Sequence, residues 1–305
     1  MFFIFLIYAL GLTVVNHWLG TKLIINEALI GWKGIVLNGF IAFVSFSLIL
    51  TDEKRLLRIF QYVIFLFSIF GLMTIVEANM NIEFFGRDDN SIRPNGPFGE
   101  PNQSGCVYTL LFPLILAQYL AANNKIISIF NIVVFCITLI VLGSRGALVS
   151  TLMASLFFLY RSREYINLAN RLKIAILAVL SFFMVILVLP DTILDQLMER
   201  IGLMTEKKMD FKNASAGRTL LWELALDLWF KSPVFGYGWG GFQFVYKMAT
   251  HNTFIQVMVD LGFVGLALYL NIYLKTLKQI SKAYKKVTER QDKILLIGMT
   301  SSIFG

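Results

Sequence analysis

The sequence predicts an all-α, polytopic integral membrane protein with about eight or nine transmembrane helices and one long helical loop outside the membrane. Of its 305 residues, 57% are hydrophobic and only 15% are charged, whereas soluble domains carry about 45–50% apolar and about 25% charged residues. The 28 Phe, 11 Tyr and 5 Trp exceed what a soluble core of this size can bury beside so few surface charges. Lipid is therefore the expected solvent for most of the chain.

Apolar runs of membrane-spanning length recur between clusters of charge. A bilayer core about 30 Å thick needs about 20 apolar residues in each helix. The predicted spans lie near residues 1–15, 34–50, 56–76, 104–121, 126–142, 146–160, 172–190 and 253–274. The first run has no basic segment before it and no small-residue cleavage site after it, which favours a membrane anchor over a cleaved signal peptide.

A partial ninth run begins at Ile294 and reaches the end of the sequence at Gly305. It is too short to cross a bilayer, so it either continues beyond this sequence or re-enters the membrane, and we favour truncation. We therefore expect one transmembrane domain over residues 1–305, truncated at its C-terminus. A long extracytoplasmic loop, residues 191–252, is inserted in it.

The distribution of Lys and Arg predicts the orientation. With the N-terminus in the cytoplasm, the loops near 51–58, 122–125, 161–173 and 275–293 lie inside and carry fifteen basic residues, against five in the short outer loops. The net charge of +8 is then mainly a topology signal. No basic stripe with interleaved aromatic residues suggests a nucleic-acid partner.

Two outer segments are longer than simple connections. Residues 77–103 are rich in Asn, Gly, Pro and Asp, which is typical of a loop. Residues 191–252 contain a predicted amphipathic helix that is ended by Lys231-Ser232-Pro233. Its apolar face consists of Leu221, Leu224, Ala225, Leu228 and Trp229, spaced as one face of a helix. Two interpretations stay open for it, a helix lying on the outer leaflet and a lid packed on the transmembrane bundle.

His251 lies where this outer segment turns into the span 253–274. The helix N-terminus disfavours a positive charge there, so a neutral imidazole can act as a general base; a capping or interface histidine is the alternative. Below it, Asn252, Gln256 and Asp260 are spaced by four and share one helical face. A carboxylate at this depth predicts a polar pocket that opens to the outside. The alternative is a structural polar contact between helices, which we favour for Gln256.

Two outer arginines are candidate phosphate ligands. Arg145 lies in a very tight predicted turn, and Arg218 precedes the amphipathic helix. A planar guanidinium matches phosphate oxygens, so the pair predicts a pyrophosphate clamp; contacts with lipid headgroups are the alternative. The glycine-rich stretch 236–241 follows no strand and ends in no Gly-Lys-Ser/Thr, so it is not a nucleotide loop. Asp88, Asp89 and Glu100 form no dense acidic motif, and we predict no metal site.

These residues together resemble one family. His251-Asn252 is followed after nine residues by Gly262 and then by Gly265, which resembles the helix start of the O-antigen ligase and O-antigen polymerase superfamily. The long periplasmic loop of that family is similar to Gly217-Arg218, Trp222, Ser232-Pro233, Gly236-Tyr237-Gly238 and Phe242. Its Ser-Arg-Gly turn resembles Gly143-Ser144-Arg145-Gly146, and its earlier outer loop resembles Arg93, Gly96, Phe98, Pro101 and Asn102. Two features depart from the family: Asp260 stands where Glu is usual, and members commonly have more spans.

The resemblance implies a GT-C-like fold and a metal-independent, inverting glycosyltransferase without a cofactor. Such an enzyme moves an oligosaccharide from undecaprenyl diphosphate onto a glycan or lipid acceptor outside the bacterial cytoplasmic membrane. It implies that His251 is the base and that Arg145 and Arg218 bind the pyrophosphate. The remaining expected substrate-binding residues are Asn252, Arg93, Asn102, Gly236, Gly238 and Asp260. Membrane lipid, a flippase and a chain-length regulator are the other candidate partners.

The motifs are shared by polymerases and ligases, and we favour a polymerase slightly because nothing points to an acceptor such as lipid A core. A flippase or exporter of lipid-linked glycan is the alternative function. It predicts charges that line a path through the bilayer, whereas the candidate residues here gather on one outer face. A non-catalytic membrane scaffold would tolerate replacement of His251 and both arginines.

Overall fold

The computed structural model describes residues 1–19, 25–41, 44, 53–80, 82–86, 93–121, 125–173, 176 and 218–304. Regular secondary structure in these ranges is helical, as the sequence predicts. The helices are α1 (Phe2–Trp18), α2 (Ile25–Trp32, continued by the π-helical turn Lys33–Leu37), α3 (Glu53–Asn79), α4 (Pro101–Ala121), α5 (Lys125–Val141), α6 (Arg145–Arg161), α7 (Arg218–Lys231), α8 (Gly241–Tyr246), α9 (Thr253–Lys286) and α10 (Arg290–Phe304).

Several of these helices suit a membrane. Among the described residues, three segments are long and apolar enough to cross a bilayer: Arg58–Asn79, Pro101–Ala121 and Thr253–Lys286. Helices α1 and α5 are apolar but shorter. The chain is therefore a membrane protein with helical spans. Nearly half of the predicted span 34–50 and most of the predicted span 172–190 lie outside the described residues, so the count of eight or nine spans stays a prediction.

Much of the predicted cytoplasmic segment 275–293 is helical. Helix α9 continues to Lys286 and α10 begins at Arg290. The segment between 275 and 286 is rich in Lys, Leu, Gln and Ala, which are strong helix formers and keep the backbone helical. The partial run at Ile294 forms helix α10.

The described residues belong to two compact units. Unit 1 comprises Met1–Glu53 and Gly202–Thr276, and unit 2 comprises Lys54–Ile201 and Leu277–Gly305. Each unit has its own buried side chains, and each is described by itself below. The single transmembrane domain expected over residues 1–305 stays a prediction.

Unit 2 is built around α4, whose small residues let neighbouring helices approach closely. A Cβ at Gly105 would lie 2.8 Å from the Cβ of Ala147, and a Cβ at Gly298 would lie 2.9 Å from the Cβ of Ala117. Thr109 and Thr151 share a hydrogen bond of 2.8 Å between their hydroxyls. Small residues and hydroxyl pairs of this kind are typical of helix packing in membranes.

Unit 1 packs α1 and α2 on the first half of α9. Its core contains Phe5, Trp32 and Leu261, and the Trp32 indole donates to the carbonyl of Leu6 at 3.3 Å. Helices α7 and α8 pack on α9 through a second cluster formed by Ala225, Leu228, Phe242 and Val259. Because the predicted apolar face of α7 is buried in this cluster, the structure favours the lid interpretation of this helix. Helix α7 ends at Lys231, as predicted.

Helix α9 is broken at Gly262, where φ is 67° and ψ is −170°. A break in an α-helix frees carbonyls before it and amides after it. Residues of the loop 233–238 pair with these freed groups. Gly238 N–H donates to the carbonyl of Asp260 at 2.7 Å, and Phe263 N–H donates to the carbonyl of Pro233 at 2.8 Å. The Tyr8 hydroxyl donates to the carbonyl of Leu261 at 2.9 Å. The break is therefore a built feature of the fold.

Replacing Gly262 by Ala should destabilise the protein. A Cβ at this position would overlap the carbonyl of Val234, and a positive φ costs a residue with a side chain about 1–2 kcal/mol. We expect a lower midpoint of thermal unfolding in detergent micelles. Gly11→Ala is the matched control, because a Cβ there meets nothing within 4 Å and Ala favours a helix. Equal unfolding midpoints for the two variants would contradict this account of the break.

Candidate functional site

The segment that precedes α9 is conformationally unusual. Lys247 and His251 have φ angles of 56° and 52°, and in the described part of the chain they are the non-glycine residues with positive φ. A left-handed conformation costs an ordinary residue about 1–2 kcal/mol. It persists only where the surroundings hold it, and such residues cluster at functional sites.

Thr250, which lies directly before His251, is held from two helices. The Trp222 indole on α7 donates to the carbonyl of Thr250 at 2.9 Å. The backbone amide and the hydroxyl of Thr250 both donate to the side-chain oxygen of Gln256 on α9, at 3.2 and 3.1 Å. Thr250 is fully buried. These bonds fix the backbone on the N-terminal side of His251.

Asn252 fixes the other side. Its side-chain oxygen accepts from the amides of Phe254 and Ile255, at 3.0 and 3.2 Å, so Asn252 caps the first turn of α9. The cap is therefore supplied by Asn252 and not by His251, whose side chain is exposed. An exposed imidazole between two fixed residues is open to a ligand.

Asp260 is buried and bound by groups of the protein. It is 2% exposed, and its carboxylate accepts from the amides of Gly240 and Phe242 at 2.9 and 3.0 Å and from the Gln256 side chain at 2.9 Å. The carboxylate satisfies the amides at the start of α8, where an anion is favoured. The structural contact favoured for Gln256 is present, and the role of Asp260 in substrate binding stays a prediction.

Gly236 and Gly238 allow close approach of backbone to backbone. A Cβ at Gly236 would lie 2.5 Å from the amide nitrogen of Gly262, and one at Gly238 would lie 3.1 Å from the Cα of Thr13. Both glycines have positive φ. Tyr237 lies between the two glycines in the sequence. Its partial burial and the nearby Tyr246 raise the pKa of its phenol above the usual value, so the phenol keeps its proton. The partner that these glycines approach is the protein itself, and their role in substrate binding stays a prediction.

Arg218 is the first residue of α7 and is half-buried. It precedes Trp222 by four residues, so the two lie on one face of the helix. Since Trp222 is hydrogen-bonded to the residue before His251, one bond links the helix of Arg218 to the segment of His251. Unit 1 therefore brings Arg218, His251 and Asn252 into one region.

A cavity of about 300 Å³ lies beside this region in unit 1. Its lining residues are Glu27, Ala28, Gly31, Trp239, Gly240, Gln243, Phe244, Lys247, Met248 and Ala249. Trp239 and Gly240 belong to the glycine-rich stretch 236–241 that the sequence makes conspicuous, whereas Glu27, Gln243 and Lys247 are not predicted from the sequence. No local pattern marks these three residues, because Glu27 lies more than 200 residues before Gln243 and Lys247 in the sequence and only the fold brings them to one cavity.

In unit 2, the predicted site residues lie at the end where α4 and α6 begin. Arg93 is half-buried in the loop before α4. This loop is tied to α4 by the Ser104 hydroxyl, which donates to the carbonyl of Asn95 at 2.8 Å. The Asn102 side chain donates to Glu100 at 3.2 Å. A Cβ at Gly105 would lie 3.3 Å from the Cβ of Ser144, so the turn before α6 meets the same end of α4.

Arg145 begins α6 directly after this turn. Helix α5 ends at Val141 and α6 starts at Arg145, which confirms the very tight connection that the sequence predicts. Gly143 has a φ of 59°, and the side chain of Ser144 caps α6 by accepting from the amide of Ala147 at 3.4 Å. Arg145 is half-buried. The turn thus presents a guanidinium at the start of a helix, a position that favours anions.

The acidic residues that the sequence offers as metal ligands are Asp88, Asp89 and Glu100. Asp88 and Asp89 lie outside the described residues. Among the residues that the structure describes, no group of three or more His, Cys, Asp and Glu side chains is placed to hold a metal ion.

Comparison with known proteins gives one family. Residues 130–270 match the family model described as O-antigen ligase. The matched segment runs from α5 into α9 and contains Arg145, Arg218 and His251. The comparisons with curated proteins and with solved structures gave no match. The match confirms the resemblance seen in the sequence.

Replacing Asp260 by Asn should lower stability without changing the size of the side chain. The amide NH₂ can only donate, so one buried amide at the start of α8 loses its acceptor, at a cost of about 1–3 kcal/mol. We expect a lower unfolding midpoint in detergent. Asp227→Asn, on the exposed face of α7, is the matched control and should leave the midpoint unchanged. If Asp260→Asn unfolds like the wild type, the capping role is refuted.

Proposed function

We propose that this chain, whose residues 130–270 belong to the O-antigen ligase and polymerase superfamily, is a membrane glycosyltransferase. It transfers an oligosaccharide from an undecaprenyl-diphosphate-linked donor onto an acceptor hydroxyl at the outer face of the bacterial cytoplasmic membrane. The observation that carries the proposal is the exposed His251, held in a left-handed conformation between the fixed residues Thr250 and Asn252 inside the family segment.

The proposed reaction is a direct displacement at the anomeric carbon. His251 takes the proton of the acceptor hydroxyl while the acceptor oxygen attacks this carbon, and the bond to the donor diphosphate breaks. A single displacement inverts the configuration of the carbon. Arg145 and Arg218 bind the departing diphosphate and neutralise its developing charge, so the proposed mechanism assigns no step to a metal ion.

The other predicted residues take supporting roles in this proposal. Asn252 holds the start of α9 and Asp260 holds the start of α8, so both act by positioning their neighbours. Arg93 and Asn102 lie at the end of unit 2 that presents Arg145, where they are suited to bind polar groups of a glycan.

The hydrogen bonds of the buried carboxylates favour a transferase over an exporter. A flippase would use charged groups within its spans to line a path. In the described spans, Asp260 is engaged by backbone amides, and Glu77 accepts from the amide of Phe85 at 3.2 Å. Both carboxylates therefore serve the fold.

We favour a polymerase over a ligase, with lipid-linked glycan as both donor and acceptor and with a flippase and a chain-length regulator as partners. Chain length in a deletion strain separates the two activities. Loss of a polymerase leaves single repeat units on the final acceptor, whereas loss of a ligase leaves long chains on the lipid carrier. The second pattern would show that the chain is a ligase.

His251→Asn should abolish most of the transfer. Asn adopts a left-handed conformation readily, so the backbone is kept while the base is lost, and we expect a rate about 10²–10⁴-fold lower. The measurement is glycan transfer by the purified variant, with its unfolding midpoint as a check of folding. His17→Asn is the control, since His17 is exposed at the end of α1 and has no part in the proposal. Full activity of His251→Asn would refute the base assignment.

Arg145→Lys and Arg218→Lys should each leave less than about half of the transfer rate, because an ammonium lacks the planar fork that binds two phosphate oxygens. The same assay measures this effect. Arg163→Lys is the control, since Arg163 is exposed and stacks on the ring of Tyr160 at 4.7 Å. Wild-type rates for both variants at limiting donor would rule out the diphosphate clamp.

A further inference from the structure

The cavity of unit 1 has the chemistry of a carbohydrate site. It offers an indole from Trp239, a carboxylate from Glu27, an amide from Gln243 and an ammonium from Lys247. Carboxylate and amide oxygens accept from sugar hydroxyls, and amide and ammonium nitrogens donate to them. An aromatic ring packs against the C–H face of a pyranose. A volume of about 300 Å³ lies at the small end of the range of ligand pockets.

The wall of the cavity continues into the segment of His251. Ala249 lines the cavity and is followed directly by Thr250, whose backbone is fixed by Trp222 and Gln256. Lys247 and His251, the two residues with left-handed φ angles, are the first and last residues of the segment 247–251. A molecule bound in the cavity is therefore next to the stretch of backbone that sets the position of the imidazole.

The aromatic wall of the cavity is preorganised by contacts within the protein. The backbone amide of Trp239 donates to the Thr13 hydroxyl at 2.9 Å, and the adjacent Gly240 is held by Asp260. The indole lies over Gly31 of α2, where a Cβ would be 3.5 Å from the indole nitrogen. Contacts from three helices fix the aromatic wall, so little ordering is required on binding.

We propose that this cavity is a glycan subsite, which binds a pyranose of the chain that is presented to His251. The inference rests on the proposed transferase function. The cavity is lined by one carboxylate, that of Glu27, and one ammonium, that of Lys247, so it has no net positive charge to attract a diphosphate. In this proposal the cavity binds a sugar of the glycan, and Arg145 and Arg218 bind the diphosphate.

Lys247 allows a test that separates binding from folding. Its left-handed φ means that Lys247→Gly relieves backbone strain while it removes the ammonium. A merely structural Lys247 predicts an unchanged or higher unfolding midpoint and unchanged binding. If Lys247 binds the sugar, Lys247→Gly should again leave the unfolding midpoint unchanged or higher, but it should lower the affinity for the ligand about tenfold or more. Glu27→Gln keeps the shape of its side chain and should weaken binding in the same way.

The probe is a set of oligosaccharides of one to three repeat units, released by mild hydrolysis from the surface polysaccharide of the cells that make this protein. Its affinity for the full chain in detergent micelles is measured by isothermal titration. Glu223→Gln on the exposed face of α7 and Lys286→Gly at the end of α9 are the matched controls and should bind like the wild type. If the wild type does not bind the probe, or if both cavity variants bind it equally well, the subsite is overturned.

Two further arms separate this inference from the transferase proposal and identify the source of the sugar. His251→Asn should still bind the probe, so a failure of the transfer assay and a failure of the subsite give different results. In a transfer reaction with lipid-linked glycan, elongation of the free probe supports an acceptor sugar in the cavity. Inhibition without elongation supports the glycan of the donor there.

Discussion

The break in α9 at Gly262 is the constraint on which the rest of unit 1 depends. In lipid, a backbone amide or carbonyl without a partner costs several kcal/mol, because no water is present to bind it. The groups freed by the break find their partners in residues 233–238 and in the Tyr8 hydroxyl. A loop that carries such bonds has lost its freedom to move. It therefore places Trp239 and the start of α8 at fixed positions against α1 and α9.

From this anchor, polar contacts lead up α9 to the candidate base. Asp260 joins α8 to Gln256, and Gln256 joins Thr250, which in turn is bound by Trp222 of α7. Every buried polar group in this series has its partner within unit 1, so the series is stable in apolar surroundings. The same bonds that satisfy these groups also set the backbone on one side of His251. One hydrogen-bond network thus satisfies the buried polar groups and also sets the position of His251.

The parts of the structure that the sequence predicts well are those with a local cause. Apolar runs, the spacing of Leu224, Ala225 and Leu228, and the tight turn before Arg145 depend on neighbours along the chain. The lysines of segment 275–286 mark the end of an apolar run but do not end the helix, since Lys is a good helix former and α9 continues to Lys286. The roles of Asp260 and Gly236 and the cavity at Glu27 come from residues distant in sequence, which no periodicity reveals.

The conformation of His251 links strain to chemistry. Glycine or Asn would adopt its φ of 52° at lower cost, and the helix cap that would explain a polar residue there is supplied by Asn252. Packing does not require the imidazole either, because it is exposed. The fold thus bears the cost of a left-handed histidine that contributes neither cap nor core. A strained and exposed side chain that is held by a buried network is the structural basis for the catalytic role that we propose for His251.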